Sequence, residues 1–235
     1  MIQFIAAVLP ALLLMAFIWF KDEKKEPLSR LVIAVCAGIA ICVPVVFMEM
    51  AVKNFLFGGG EPTTLIGSTI QAFFVAAFPE EGFKLLALWL ILRRNPYFDE
   101  HFDGIVYAVY VSLGFALVEN IGYVASSEAW FSVATSRALL AVPGHYAFAV
   151  LMGYYYSTYH FVDRSPKTAV RILLVPVMAH GVYDAIAMSG SVNPLIGGIA
   201  FFVLVYFCIK MHRHAYTKLE TLISRDLHSS PTFSE

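Results

Sequence analysis

Leu31–Phe47, LVIAVCAGIAICVPVVF, decides the fold: seventeen residues without one charged side chain. Met1–Phe20, MIQFIAAVLPALLLMAFIWF, carries none either. A helix needs about 20 apolar residues to cross the hydrocarbon core of a bilayer, and both runs meet that length. The composition agrees. Of 235 residues, 59% are hydrophobic and 14% charged, where a soluble domain carries about 25% charged residues. Soluble and disordered classes are excluded. The net charge of −1 points to no particular partner, and no nucleic-acid partner is expected. The environment that the chain demands is a lipid bilayer.

Further runs bring the count to about seven spans, at approximately 2–20, 31–50, 66–92, 104–125, 142–160, 169–188 and 193–211. The expected fold class is therefore all-α, a polytopic membrane helix bundle. Residues 1–211 form one integral membrane domain, and 212–235 form a polar, frayed tail. Segment 126–141 reads either as an interfacial helix or as an outward extension of the fifth span. The first span lacks a basic n-region and a small-x-small cleavage site, so it reads as a retained helix rather than a signal peptide. Cys36, Cys42 and Cys208 all lie inside apolar runs and read as buried thiols.

Basic residues set the orientation. With the N-terminus outside, cytoplasmic segments hold Lys21, Lys24, Lys25, Arg30, Arg93, Arg94, Arg164, Lys167, Arg171, Lys210, Arg213, Lys218 and Arg225, thirteen of sixteen. Only Lys53 and Arg137 fall outside, and Lys84 lies within a span. That bias predicts an extracytoplasmic N-terminus and a cytoplasmic C-terminus in a cell membrane.

Ionisable residues interrupt the spans. The third contains Glu80, Glu81 and Lys84 (FPEEGFKLL); the fourth, Glu119 and Asn120 (VENIGY); the fifth, His145 (PGHYAF); the sixth, His180 and Asp184 (AHGVYDA). A charge at mid-membrane costs about 2.5–3.5 kcal/mol on insertion scales, so such residues face the bundle interior, pair, and mark function. Glu80 and Lys84, like His180 and Asp184, are four apart and share a helix face. At ~1.5 Å per residue, Glu80, Glu119, His145 and His180 sit roughly 20–24 Å from the cytoplasmic ends of their helices. Four helices thus bring their polar groups to one depth in the outer half of the bilayer. Each group alone could be packing chemistry: an ion pair, a satisfied histidine, or an asparagine bonded between helices. Pro79, ahead of the glutamates, is expected to kink its helix. Asp103 reads as a helix N-cap without chemistry.

In this order FPEEGFKLLAL, FDGIVYAVYVSLGFALVENIGY, PGHYAFAVLMGYYY and AHGVYDA resemble the four motifs of the PrsW family of intramembrane proteases. The resemblance covers about 65–190, the expected catalytic core. It implies an endopeptidase that cuts a single-span, membrane-anchored substrate such as an anti-sigma factor near the extracytoplasmic face. It assigns the catalytic positions to Glu80, Glu81, Lys84, Glu119, Asn120, His145, His180 and Asp184. No serine or cysteine is placed to serve as nucleophile, so the chemistry must activate water. Two versions stay open. Glu80 or Glu81 is the general base, with His145, His180 and Asn120 holding water and oxyanion. Alternatively, zinc is held by His145, His180 and Glu119 or Asp184, with a glutamate as base. From the residues alone, a proton-coupled carrier or a non-catalytic scaffold would use the same buried groups.

Overall fold

The computed structural model describes residues 1–192 and 194–229. Residue 193, the expected start of the last span, and the end of the expected tail, 230–235, lie outside the described residues. Every regular element among the described residues is helical. Six helical stretches are long and apolar enough to cross a membrane, by length and composition. In chain order the elements are α1 (Ile2–Lys21), α2 (Leu28–Phe57), α3 (Leu65–Ile70), α4 (Phe78–Leu92), α5 (Asp103–Ala125), α6 (Trp130–Ser136), α7 (Val142–Ser157), α8 (Pro166–Val192) and α9 (Pro194–Ser229). Two joints are wider. A π-helical turn, Gln71–Ala77, connects α3 to α4, and another, Arg137–Ala141, connects α6 to α7. Leu65–Leu92 is therefore one helical rod of roughly 40 Å, the seventh member of the bundle.

Both widened turns precede a proline. Pro79 and Pro143 have no N–H to donate into the preceding turn. Ahead of them Phe78 N–H bonds Phe73 O and Val142 N–H bonds Arg137 O, each five residues back. The expected kink at Pro79 thus takes the form of a π turn. The residues directly after the two prolines are Glu80 and Glu81 in one rod, Gly144 and His145 in the other. An extra residue per turn shifts the angular phase of the helix beyond it, and π turns of this kind recur at functional sites.

The centre of the bundle is α5. From Asp103 to Ala116 it is buried on every face, packed by α1, α2 and α7. Close crossings make this possible. A Cβ on Gly38 of α2 would stand 2.0 Å from Val111 O, and one on Gly114 of α5 would stand 2.5 Å from Val35 O. Small residues let helix backbones touch where lipid supplies no hydrophobic drive for association. Three expectations change here. Segment 126–141 is resolved as an extension, because Trp130–Val162 is continuous helix through both α6 and α7. The tail is not frayed over the described residues: α9 continues to Ser229. Ala215, Leu219 and Leu222, spaced four and three apart on one helix face, are fully buried. The Asp226 carboxylate accepts the N–H groups of His101 (2.9 Å) and Phe102 (2.8 Å) ahead of α5. Asp103 does not cap its own helix. It is the first residue of α5, and its Oδ2 accepts the N–H groups of Asp99 (3.0 Å) and Glu100 (2.7 Å).

Candidate active site

Lys84 organises the site. Its ammonium donates to Glu80 Oε2 at 2.9 Å, to Glu81 Oε1 at 2.8 Å and to His145 Nδ1 at 3.2 Å. It also lies 4.5 Å from the centre of the Phe115 ring, the fourth-span residue one turn before Glu119. Lys84 and Glu81 are each 1% exposed, Glu80 5%. Charges this deeply buried persist only when paired and hydrogen-bonded. One cation against two carboxylates meets half of that need.

The histidines meet more of it. His145 accepts from Lys84 at Nδ1, so Nε2 carries the proton and donates to Glu119 Oε2 at 2.8 Å. Both nitrogens of the ring are thereby held. Glu119 is also paired with Arg137 at 2.8 Å. His180 lies between two acceptors, Glu81 Oε1 at 3.0 Å from Nδ1 and Asp184 Oδ2 at 3.3 Å from Nε2. An imidazolium, with a proton on each nitrogen, satisfies both. The His180 ring stacks on Phe148 at 4.7 Å, and the two imidazole centroids are 5.6 Å apart. The chain from Arg137 through Glu119, His145, Lys84, Glu81 and His180 to Asp184 is thus one polar network drawn from five helical segments.

That network opens into a cavity of about 820 Å³, whose lining includes Glu80, Glu119, His145, His180 and Asp184. Glu81 is not on its wall: it sits behind Lys84, with Oε2 buried and free of hydrogen bonds. Of the adjacent glutamates, Glu80 therefore faces the cavity and Glu81 supports it.

Seven of the eight expected residues meet in this network. Asn120 does not. It is fully buried; its Nδ2 donates to Ala7 O of α1 at 2.7 Å, and its Oδ1 accepts from Arg137. One N–H of the amide and its oxygen are thus engaged, and the side chain ties α5 to α1. Two further residues of the cavity wall escape the sequence reading. Arg137 counts there only as a basic residue on the outer side, although a cation in that position departs from the positive-inside pattern. Glu49 lies at the end of the second apolar run, where the rule applied to the other carboxylates would have found it.

The donor chemistry bears on a metal. Glu80, Glu81 and His145 each offer a ligand atom within 4.8 Å of the others, and carboxylate and imidazole are zinc ligands. The point they share is already filled by the Lys84 ammonium, 2.8–3.2 Å from all three. An ion bonding at about 2.0–2.2 Å does not fit beside it. The expected zinc set of His145, His180 and Glu119 or Asp184 is not gathered to that spacing among the described residues. Each imidazole is instead held by its own carboxylate and, for His145, by Lys84.

The fold and site define a multi-pass membrane protein with a buried carboxylate–imidazole network that opens into a cavity. The chain is a member of the PrsW family: residues 26–211 match the family model described as PrsW family intramembrane metalloprotease. It is 34% identical to Protease PrsW of Clostridioides difficile (strain 630) over 192 residues, 79% of each chain. It is 30% identical to Protease PrsW of Oceanobacillus iheyensis over 220 residues, 93% of this chain and 97% of the relative. It is 33% identical to Protease PrsW of Bacillus subtilis (strain 168) over 189 residues, 79% of this chain and 83% of the relative. No solved structure matches the chain. The family makes the protein a membrane peptidase.

Proposed function

We propose that this protein is an endopeptidase that cleaves a single-span, membrane-anchored protein near the extracytoplasmic face, with Glu80 as the base that activates water. The observation carrying this reading is the division of labour between the adjacent glutamates, one on the cavity wall and one sealed behind Lys84. Glu80 takes a proton from water as the water oxygen attacks the peptide carbonyl carbon. The resulting oxyanion is stabilised by positioned donors, and Arg137, on the cavity wall, carries N–H groups beyond those given to Asn120 and Glu119. His180 gives a proton to the departing amide nitrogen as the C–N bond breaks, and Glu80 then returns its proton to the emptied imidazole. Lys84 pairs with Glu80 and orients it. Glu81 and Asp184 position His180, and Glu119 positions His145. No step passes through a metal, because the ammonium holds the place where one would sit.

The thirteen-to-two bias in basic residues supports an outside N-terminus and an inside C-terminus, which puts the cavity in the outer half of the bilayer. There a substrate helix frays at its membrane exit and offers an extended bond; an anti-sigma factor with one span fits that description. The test is cleavage of a single-span reporter by the full chain in proteoliposomes. Cleavage in the outer juxtamembrane segment supports the reading. A folded protein that cuts nothing but moves protons across the vesicle would replace it with a carrier.

A further inference from the structure

A second polar cluster lies at the opposite end of α5, far from the cavity. Asp22, in the turn after α1, Glu100, in the loop before α5, and Asp103, the first residue of α5, each bring a carboxylate oxygen within 4.8 Å of the others. Asp22 and Asp103 are both 1% exposed. Each uses only one oxygen: Asp22 Oδ2 accepts Glu26 N–H at 3.3 Å, and Asp103 Oδ2 accepts the two loop N–H groups. Asp22 Oδ1 and Asp103 Oδ1 are buried and accept nothing. Buried carboxylate oxygens without partners are costly, and two of them converge here.

Lysines are close, but all are committed elsewhere. Lys21 pairs with Glu220 at 3.2 Å. Lys24 pairs with Asp99 at 2.5 Å. Lys25 donates to the backbone carbonyls of Trp19 and Asp22. Among the described residues no ion pair reaches Asp22, Glu100 or Asp103. Glu26, buried alongside, is bonded to the Tyr107 hydroxyl. A pocket of about 40 Å³, lined in part by Asp22, Glu100 and Asp226, opens beside the cluster, and it is large enough for a single water or ion. The three carboxylates thus converge, two of them with a buried oxygen that accepts no hydrogen bond.

We propose that Asp22, Glu100 and Asp103 form a binding site for a hard divalent cation of the magnesium or calcium class, which clamps the end of α1 to the start of α5. Such ions take oxygen ligands at about 2.0–2.6 Å, so oxygens on opposite sides of one ion lie at most about 5 Å apart, the spacing found here. An all-carboxylate set favours these cations over zinc. Asp226 of α9 holds the N–H groups of the adjoining loop, so the ion would fix three helix ends at once. The site is separate from the membrane network and does not rest on the catalytic reading.

The test uses the detergent-purified full chain. Mn2+ binding is read by electron spin resonance, with Mg2+ and Ca2+ as competitors, alongside thermal unfolding. Expected are one saturable Mn2+ per chain, displaced by Mg2+ or Ca2+, and a rise in Tm on the order of 5 °C at saturating cation that equal ionic strength of NaCl does not give. Binding should persist in Glu81→Gln and vanish in Asp22→Asn/Asp103→Asn. Should that double variant not fold, the half-buried Glu100→Gln should weaken Mn2+ binding at least tenfold. Absence of saturable binding, binding unchanged in the cluster variants, or binding lost in Glu81→Gln instead, would each overturn the site.

Discussion

At two places among the described residues three acidic or imidazole side chains bring ligand atoms within 4.8 Å of one another. In the cavity site Glu80, Glu81 and His145 surround the ammonium of Lys84. At the far end of α5, Asp22, Glu100 and Asp103 surround no side-chain cation among the described residues. The cavity site carries its counter-charge on the same helix, one turn from the glutamates. It can therefore pair two buried carboxylates and hold one of them at the wall of a cavity. The other cluster lies close to lysines that are all engaged elsewhere, and so it presents charge to something from solution. Similar ligand spacing thus serves two ends, and the position of one lysine decides which.

The largest expected effect comes from breaking the first half of the comparison. Lys84→Met leaves two carboxylates buried without a cation and should cost about 3–5 kcal/mol of stability, measured by unfolding in detergent, with cleavage lost as well. A variant as stable and active as wild type would show that the ammonium is not the organising charge. Next is the cavity wall. Arg137→Gln should lower the cleavage rate by about 10²-fold, the lower range for loss of one oxyanion donor, while the fold persists. An unchanged rate would remove Arg137 from the site. Asn120→Ala should be the reverse case, costing about 1–2 kcal/mol through the bond lost to Ala7 O, with cleavage by the folded protein reduced less than tenfold. A larger drop in rate than in stability would restore Asn120 to the chemistry.

The smallest effect concerns pH at the second cluster. Burial raises the carboxyls of Asp22, Glu26 and Glu100 above their unfolded values, and neighbouring carboxylates add to it. The folded state then binds more protons than the unfolded state, so this contribution to stability decreases as pH rises. The window opens near the ordinary carboxylate value of about 4 and extends upward through the raised values. In chelator, the protein should lose stability as pH rises above the ordinary carboxylate range, and added Mg2+ should reduce that loss. Equal stability across that rise in chelator would contradict the uncompensated charge.

Much of this is legible in the chain itself. The spans follow from length and apolar run, and the four polar motifs fall at one depth because α-helical rise is constant. Which glutamate faces the cavity is not legible. Glu80 and Glu81 are adjacent, and their phase is set by the π turn ahead of Pro79, a feature of hydrogen-bond register rather than of residue pattern. The tie that Asn120 makes to α1 is not legible in its motif position, which says nothing of the Ala7 carbonyl that takes the amide. The acidic cluster joins residues 22 and 103 through a fold that no local pattern encodes. The docking of α9 is partly readable: Ala215, Leu219 and Leu222 repeat at helical spacing within a segment otherwise polar enough to pass for a tail.

The most direct measurement is the cleavage rate of a single-span reporter in proteoliposomes by wild type, Glu80→Gln and Glu81→Gln, with unfolding temperatures for all three. Glu80→Gln should fold with nearly unchanged stability and cut about 10²–10⁴-fold more slowly, the usual loss for a positioned general base. Glu81→Gln should lose stability as well as rate, since it weakens the support of Lys84 and His180. The wild-type rate should survive 1,10-phenanthroline. Glu80→Gln cutting at the wild-type rate, or wild-type activity abolished by the chelator and restored by zinc, would contradict Glu80 as the metal-free base.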